Sequence, residues 1–422
     1  MTFLDDLRWR GLVYDETPGL ADHLAEDSRV GYIGFDPTAD SLHVGSLLQI
    51  MGLRRFQEHG HTPIALVGGG TGLIGDPSGK KDERQLLTRE MVDANAEGIR
   101  KQLERFLDFE GAHAARMANN ADWLTQVSLT DFLRDVGKHF TVQQMTAKES
   151  VKRRLESEVG LSFTEFSYQL LQAYDFRVLH EAEGCTVQIG GSDQWGNITA
   201  GTDLVRRSGG KAHGLVQPLV TNAAGTKFGK TEAGTVWLDA ERTSPYRFYQ
   251  FWLNADDRDV INYLKWFTDF GPEAVADLET SQADRPGARE AQRTLAREVT
   301  TLVHGADATE AAERAAQALF GGDLRTLSAA ALAEVFEEAP SSEQPASAFE
   351  GEGVSVIDLF ADAGLTASKG EAKRLARSGG LSVNGDRVEA EDARLTTADA
   401  IDGSVFVLRK GKKSYALVRL VA

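Results

Sequence analysis

Thr38, His43 and Gly45 fall in one short stretch, GYIGFDPTADSLHVGSL (31–47). A strand-like run over 30–35 leads in, Asp36-Pro37 breaks it, and a helical apolar pattern starts at Val44. A strand, a polar turn and a helix N-terminus in that order hold phosphate well. The first helical turn offers unpaired N–H donors at the positive end of the helix dipole. Two more stretches bring cations. GGGTGLIGDPSGKKDER (68–84) ends in Lys80, Lys81 and Arg84, and TNAAGTKFGKTEAG (221–234) sets Lys227 and Lys230 among small residues, the composition of a mobile loop or lid. A third feature is organic rather than ionic. In FTEFSYQLLQAYDF (163–176), Tyr168, Gln172 and Asp175 stand at i, i+4 and i+7, so one helix face carries a phenol, an amide and a carboxylate among Phe163, Phe166, Leu170, Leu171 and Tyr174. Taken singly, these are an ordinary βα corner, a solvated basic loop and a polar helix face. Taken together they describe phosphate chemistry beside a polar-lined organic pocket.

Better-known phosphate and acyl-transfer motifs do not fit. Gly70-x-Gly72-x-x-Gly75 has the spacing of a dinucleotide fingerprint, but Asp76-Pro77-Ser78-Gly79 follows at once and stops the helix that the third glycine must open. A P-loop would need Gly at 74 and Ser or Thr at 81, which are Ile74 and Lys81. Gly190-Gly191-Ser192-Asp193-Gln194 has Gln where a nucleophile elbow needs Gly.

The elements that must position these residues can be read from periodicity. Residues 1–29 read as helical, 30–35 as a strand, 44–59 as a helix, and PIALV (63–67) as a buried parallel strand. This βαβ opening predicts a doubly wound, Rossmann-like α/β sheet. Residues 88–110 read as an amphipathic helix, 117–160 as mostly helical, CTVQI (185–189) as a strand before a second polar turn, 198–207 as a helix, 214–220 and 235–239 as strands, and the chain on to about 320 as helical. The expected organisation is a catalytic domain over 1–220 with a helical insertion at about 120–180. A cationic loop with a helical domain over 221–325, an acidic linker over 326–352 and a small α+β domain over 353–422 follow. In that last domain Ser368-Lys369-Gly370-Glu371 has the pattern of a capping box, and Asn384-Gly385 marks a type I′ hairpin.

Composition bounds the setting. The 422 residues, 41% apolar and 8% aromatic, suit two or three globular domains. The single cysteine, Cys185, excludes a disulfide framework and a cysteine-based zinc site. The first residues, MTFLDDLRWRGL, carry two acids and no secretory apolar run, and no run has the ~20 apolar residues of a membrane span, so a cytoplasmic setting is expected. The net charge of −17 argues against nucleic acid globally, but residues 353–422 carry eleven Lys and Arg against nine Asp and Glu. There Lys369, Lys373 and Arg377 stand at i, i+4 and i+8 with Arg374 beside them, a basic helix suited to an RNA backbone.

The motifs YIGFDPTADSLHVGS (32–46), GLIGDPSGKKDER (72–84), FSYQLLQAYDF (166–176), QIGGSDQWGNIT (188–199), KFGKT (227–231) and the S4-like tail, in this order, resemble the bacterial tyrosyl-tRNA synthetases, a family of class I aminoacyl-tRNA synthetases. The resemblance covers nearly the whole chain. It sets His43-Val44-Gly45-Ser46 on the family's HIGH motif, with Ser46 in place of a histidine, and 227–231 on its KMSKS loop. It implies a two-step reaction: the tyrosine carboxylate attacks the α-phosphate of ATP in line, releasing pyrophosphate, and the terminal ribose of tRNA(Tyr) then takes the tyrosyl group. No covalent enzyme intermediate forms, so catalysis is positioning and charge stabilisation. By resemblance, Thr38, His43, Lys80, Arg84, Lys227, Lys230 and Thr231 serve the triphosphate. Gly34, Asp36, Gly45, Ser46, Gly190, Asp193 and Gln194 complete the ATP site. Tyr32 and Asp175 meet the phenolic hydroxyl of tyrosine, and Tyr168, Gln172, Asp76 and Gln188 surround its ammonium end. ATP with Mg2+ is the co-substrate, with no tightly bound cofactor and no protein-held metal. A homodimer with the 130–155 region near its interface is expected.

Three rivals remain at this point. A tryptophanyl-tRNA synthetase shares the core, but Tyr32 with Asp175 and the S4-like tail favour tyrosine. A small-molecule nucleotidylyltransferase would need neither KFGKT nor the tail. A non-catalytic RNA-binding protein would not need the cationic loops.

Overall fold

The structure, a computed structural model, describes residues 1–422 except 77–86, 157–159, 222–227, 232–233, 320–322, 338, 412–413 and 422; of 149, 150, 153, 230, 231 and 319 it describes the backbone alone. It divides into two compact units, Met1–Thr243 with Ala255–Leu295, and Ser244–Asn254 with Ala296–Ala422.

The first unit is built on a six-stranded sheet of β1 (Asp15–Glu16), β2 (Val30–Phe35), β3 (Thr62–Val67), β4 (Arg116–Asn119), β5 (Cys185–Gly191) and β6 (His213–Gln217). The spatial order is β1-β6-β5-β2-β3-β4, all parallel except the edge strand β1. The parallel part starts at β2, winds out through β3 and β4, then returns to β5 on the other side. This reversal leaves a crevice outside the ends of β2 and β5, where doubly wound sheets bind ligands. Tyr32 on β2 faces Gln188 on β5 in the register.

Helices α1 (Phe3–Arg10), α2 (Val44–Glu58), α3 (Arg89–Leu103), α4 (Phe163–Glu183), α5 (Trp195–Arg207) and α6 (Val260–Phe267) carry or brace the site. Ser162 and Glu165 form a reciprocal capping box at the head of α4. The same Glu165 carboxylate takes two hydrogen bonds from Arg154, at 2.8 and 2.9 Å, with both side chains buried. Arg10 and Arg55 donate to carbonyls at and beyond the end of α6, from Lys265 to Phe270, where the negative end of the helix dipole favours them.

Several expectations change. Residues 117–160 are less helical than their composition suggests: β4 occupies Arg116–Asn119 before a series of short helices. RMAN lacks an apolar run, and β4 is a strand because it pairs with β3. The 88–110 helix ends at Leu103, and of 235–239 only Thr235 lies in a strand, with Trp237 bridged to His43.

In the second unit a five-stranded sheet runs Asp386–Arg387, Leu381–Val383, Val405–Lys410, Ser414–Val421, Ser341–Pro345. The continuous apolar run VFVL buries both faces. Phe406 and Leu408 join a core with Phe349, Val356 and Phe360, while Val405 and Val407 join another with Ala315, Leu324 and Leu332. The acidic segment expected as a linker is therefore structured. It holds a helix over Ala329–Val335, the parallel edge strand Ser341–Pro345 and the buried Phe349. Asn384 and Gly385 take positive φ angles of 52° and 95°, as a type I′ turn requires. The capping box at Ser368 is half made: Ser368 accepts from the Glu371 N–H, but the Glu371 carboxylate accepts from Ala367 N and pairs with Lys410.

Among the described residues no helix is long and apolar enough to cross a membrane.

Candidate active site

The corner between β2 and α2 sets the site. His43 is the N-cap of α2, and its Nδ1 accepts the Gly45 N–H at 3.0 Å. That bond fixes the tautomer with the proton on Nε2. A side chain at 45 would begin 2.7 Å from His43 Cε1, so glycine is needed for the ring to fold over the helix start. The corner is pinned from the far side by Val44 N donating to Val236 O at 3.0 Å and Leu238 N to Leu42 O at 2.9 Å, immediately after the KFGKT stretch.

Below the corner lies a cavity of about 510 Å³. It brings together Tyr32, Gly34, Asp36, His43, Gly45, Ser46, Asp76, Tyr168, Gln172, Asp175, Gln188, Gly190, Asp193 and Gln194. Thr38 stands apart, exposed on the turn outside the lining, its N–H bonded to Asp36 O at 2.8 Å. Lys80, Arg84 and Lys227 lie outside the described residues, as do the side chains of Lys230 and Thr231, whose backbone forms a short strand paired with Gly234–Thr235. A second cavity, of about 590 Å³, is lined by Lys148, Gln169, Asp203 and Arg206 and takes in none of the expected residues.

The closed end of the first cavity is chemically unusual. The Tyr32 hydroxyl is buried and has no hydrogen-bond partner among the described residues, and Gln188 Oε1 is in the same state. Asp175 is 2% exposed and holds one hydrogen bond on each oxygen, from Trp123 Nε1 at 2.8 Å and Asn120 Nδ2 at 2.9 Å. Burial pushes its carboxyl up to about 7 against the opposing pull of those two donors. Burial, and then the Asp175 charge, raises the Tyr32 phenol well above its ordinary value, so it stays a hydroxyl.

A hydrogen-bond chain runs from this end to the mouth. Asn120 Nδ2 also reaches Thr71 Oγ1 at 2.9 Å, Thr71 donates to Asp36 Oδ1 at 2.9 Å, and Tyr168 donates to Asp36 Oδ2 at 2.8 Å. Beside it, Gln194 donates to Asp76 at 2.6 Å, and Asn197 bridges Gln172 and Gln194 at 3.0 and 3.2 Å. Thr71, Asn120, Trp123 and Asn197 escaped the sequence reading. Asn120 left one faint signal, an Asn-Asn pair just before a helix, but its contact with Asp175 spans 55 residues.

The basic residues of the tail lie in the second unit. Lys369 pairs with Asp358 at 2.9 Å and Arg377 with Glu391, while Lys373 and Arg374 are exposed with no ion pair among the described residues. Both pairs are exposed to solvent, where ion pairs hold their partners weakly.

Comparison with known proteins gives a consistent result. The model of the class I tRNA synthetases (W and Y) matches residues 25–321, and that of the tyrosine–tRNA ligase SYY-like C-terminal domain matches 332–418. The tyrosine–tRNA ligase of Roseiflexus castenholzii is 58% identical over 422 residues, covering 100% of both chains. That of Anaeromyxobacter dehalogenans (strain 2CP-1) is 55% identical over 419 residues, 99% of each. Among solved structures, a C-terminally truncated mitochondrial tyrosyl-tRNA synthetase of Aspergillus nidulans is similar, at 31% identity and a TM-score of 0.68, over 76% of this chain and 94% of that one. With a parallel sheet that reverses between β2 and β5, a capped His43 corner above the cavity and a relative matched from end to end, the chain belongs to the class I tRNA synthetases of the W and Y type.

Proposed function

We propose that this chain is a tyrosine–tRNA ligase that activates L-tyrosine with ATP and transfers it to the 3′ end of tRNA(Tyr). The observation that carries the choice of amino acid is the Tyr32 hydroxyl, buried beside a buried carboxylate and without a hydrogen-bond partner among the described residues. A buried polar group without a partner costs about 1–3 kcal/mol, which a ligand hydroxyl at that spot would recover. The substrate phenol accepts from Tyr32 and donates to Asp175, whose oxygens keep spare lone pairs. Tyr168, Gln172, Asp76 and Gln188 hold the ammonium end, and the carboxylate is left facing the corner.

At the corner, Mg·ATP binds as co-substrate against Gly34, Asp36, Gly45, Ser46, Gly190, Asp193 and Gln194. His43 Nε2–H and Thr38 donate to phosphate oxygens, and Lys80, Arg84, Lys227, Lys230 and Thr231 balance the charge of the leaving pyrophosphate. Attack on the α-phosphorus forms the mixed anhydride, and the ribose hydroxyl of tRNA then displaces AMP. The groups named act by position and charge, with no bond to the enzyme. The tail holds the tRNA backbone through Lys369, Lys373, Arg374 and Arg377. We also propose a cytoplasmic homodimer. Leu129, Leu133, Val142, Leu155 and Phe163 are large apolar residues exposed by half or more between 129 and 163, a surface suited to a second copy.

The deciding experiment is ATP–pyrophosphate exchange with each of the twenty amino acids, followed by tRNA charging. Stimulation by tyrosine alone is expected. Stimulation by tryptophan in its place would overturn the assignment.

A further inference from the structure

We propose that one face of α3, made by Asn95, Gly98 and Gln102, is a seat that positions the 37–42 loop and, through it, the His43 corner for ATP. The proposal rests on the ligase reading above. The three residues share a face by their spacing, and each meets the loop differently. Asn95 Nδ2 donates to Pro37 O at 3.0 Å. Gln102, buried, accepts the Leu42 N–H on Oε1 at 2.8 Å and donates from Nε2 to Ser41 Oγ at 2.9 Å.

Gly98 allows the closest approach. A Cβ there would lie 2.2 Å from Asp40 O, a backbone atom that can retreat only by moving the loop. Glycine inside a helix costs about 0.5–1 kcal/mol relative to alanine, so its presence here is explained by contact and not by helix formation. The loop cannot drift on its other side, where Leu42 and Val44 are bonded to Leu238 and Val236. The seat therefore sets the height of Ser41 and Leu42, the two residues before the N-cap, and none of its three members lines the cavity. They are positioning residues. Asp36, at the start of the loop, is held separately by Thr71 and Tyr168, so the amino-acid pocket keeps its own anchor.

The test uses the full-length chain with Gly98→Ala, Gln102→Met and Asn95→Ala, measuring tyrosine-dependent ATP–pyrophosphate exchange across ATP concentrations and tyrosine affinity by equilibrium dialysis. Displacing a reacting group by a fraction of an ångström to 1 Å is expected to lower kcat/KM for ATP by about 10-fold to 100-fold in Gly98→Ala and Gln102→Met. Tyrosine affinity should stay within about twofold, the split that separates positioning from general damage. If Gly98→Ala does not fold, the other two variants act on the same seat. Unchanged ATP kinetics in the folded variants would overturn the inference, as would equal losses toward tyrosine and ATP. The wild-type chain run alongside separates the failures. No tyrosine-dependent exchange there overturns the ligase reading and the seat with it; exchange in wild type and unchanged variants overturn the seat alone.

Discussion

The imidazole of His43 caps the helix that it also serves, with its Nδ1 3.0 Å from the Gly45 nitrogen. The bond at Nδ1 is structural and puts the proton on Nε2. His43→Asn keeps an N-cap acceptor, so its stability should match wild type within about 0.5 kcal/mol, whereas His43→Ala should lose about 1 kcal/mol. Both should slow adenylate formation by about 100-fold through loss of the donor to phosphate. Thermal melts beside single-turnover kinetics check this, and equal stability of the two variants would contradict the capping role.

Asp175 should make tyrosine binding depend on pH near neutrality. Its carboxyl is raised to about 7 by burial, and its ionised form is the stronger acceptor for the substrate phenol. Affinity should be full above that pH and fall by up to about tenfold per unit below it, with a proton released on binding. In the free protein the linkage has the opposite sense: the raised value favours folding at low pH, and that contribution is lost as pH rises through about 7. Binding measured between pH 5.5 and 8.5 should show the inflection, and Asp175→Asn should flatten it.

Tyr32→Phe removes a buried hydroxyl that has no hydrogen-bond partner among the described residues. The free protein should be as stable as wild type or more stable by about 1–3 kcal/mol. The preference for tyrosine over phenylalanine should nonetheless drop by about tenfold, the equivalent of ~1.4 kcal/mol. A destabilised variant with intact discrimination would refute the role of the hydroxyl.

Phe163 is 78% exposed at the first position of α4, the helix that carries Tyr168, Gln172 and Asp175. If this face meets a second copy, Phe163→Asp buries a charge at the interface and should shift sedimentation from dimer to monomer at micromolar concentration. A wild-type chain that sediments as a monomer would rule the interface out.

What could be read in advance was local. The turn at Asp36-Pro37, the apolar strands β2 and β3 and the polar face of α4 each leave a pattern within one element, and all three converge on the cavity. Thr71 left none and Asn120 only its Asn-Asn pair, because their meaning lies in contacts to Asp36 and Asp175 across tens of residues. β4 was hidden for the same reason: its four residues become a strand only beside β3. Glu371 shows the reverse case, a correct local motif diverted by Lys410 from a distant strand. Gly45 entered through its motif alone, and the structure adds that a side chain there would meet the ring of His43 two residues before it.

The strand Ser341–Pro345 lies beside Ser414–Val421, in parallel. On the ribosome the first of these emerges some seventy residues before the second, and so do Leu324 and Leu332, whose apolar side chains wait for Val405, Val407 and Leu417. Such long-range pairing slows folding and leaves apolar surface bare in the interval. The second unit therefore completes late and all at once. A premature stop before Val405 would remove Phe406, Leu408 and Val418 from one core and Val405, Val407 and Leu417 from the other, leaving both sides of the sheet unfilled.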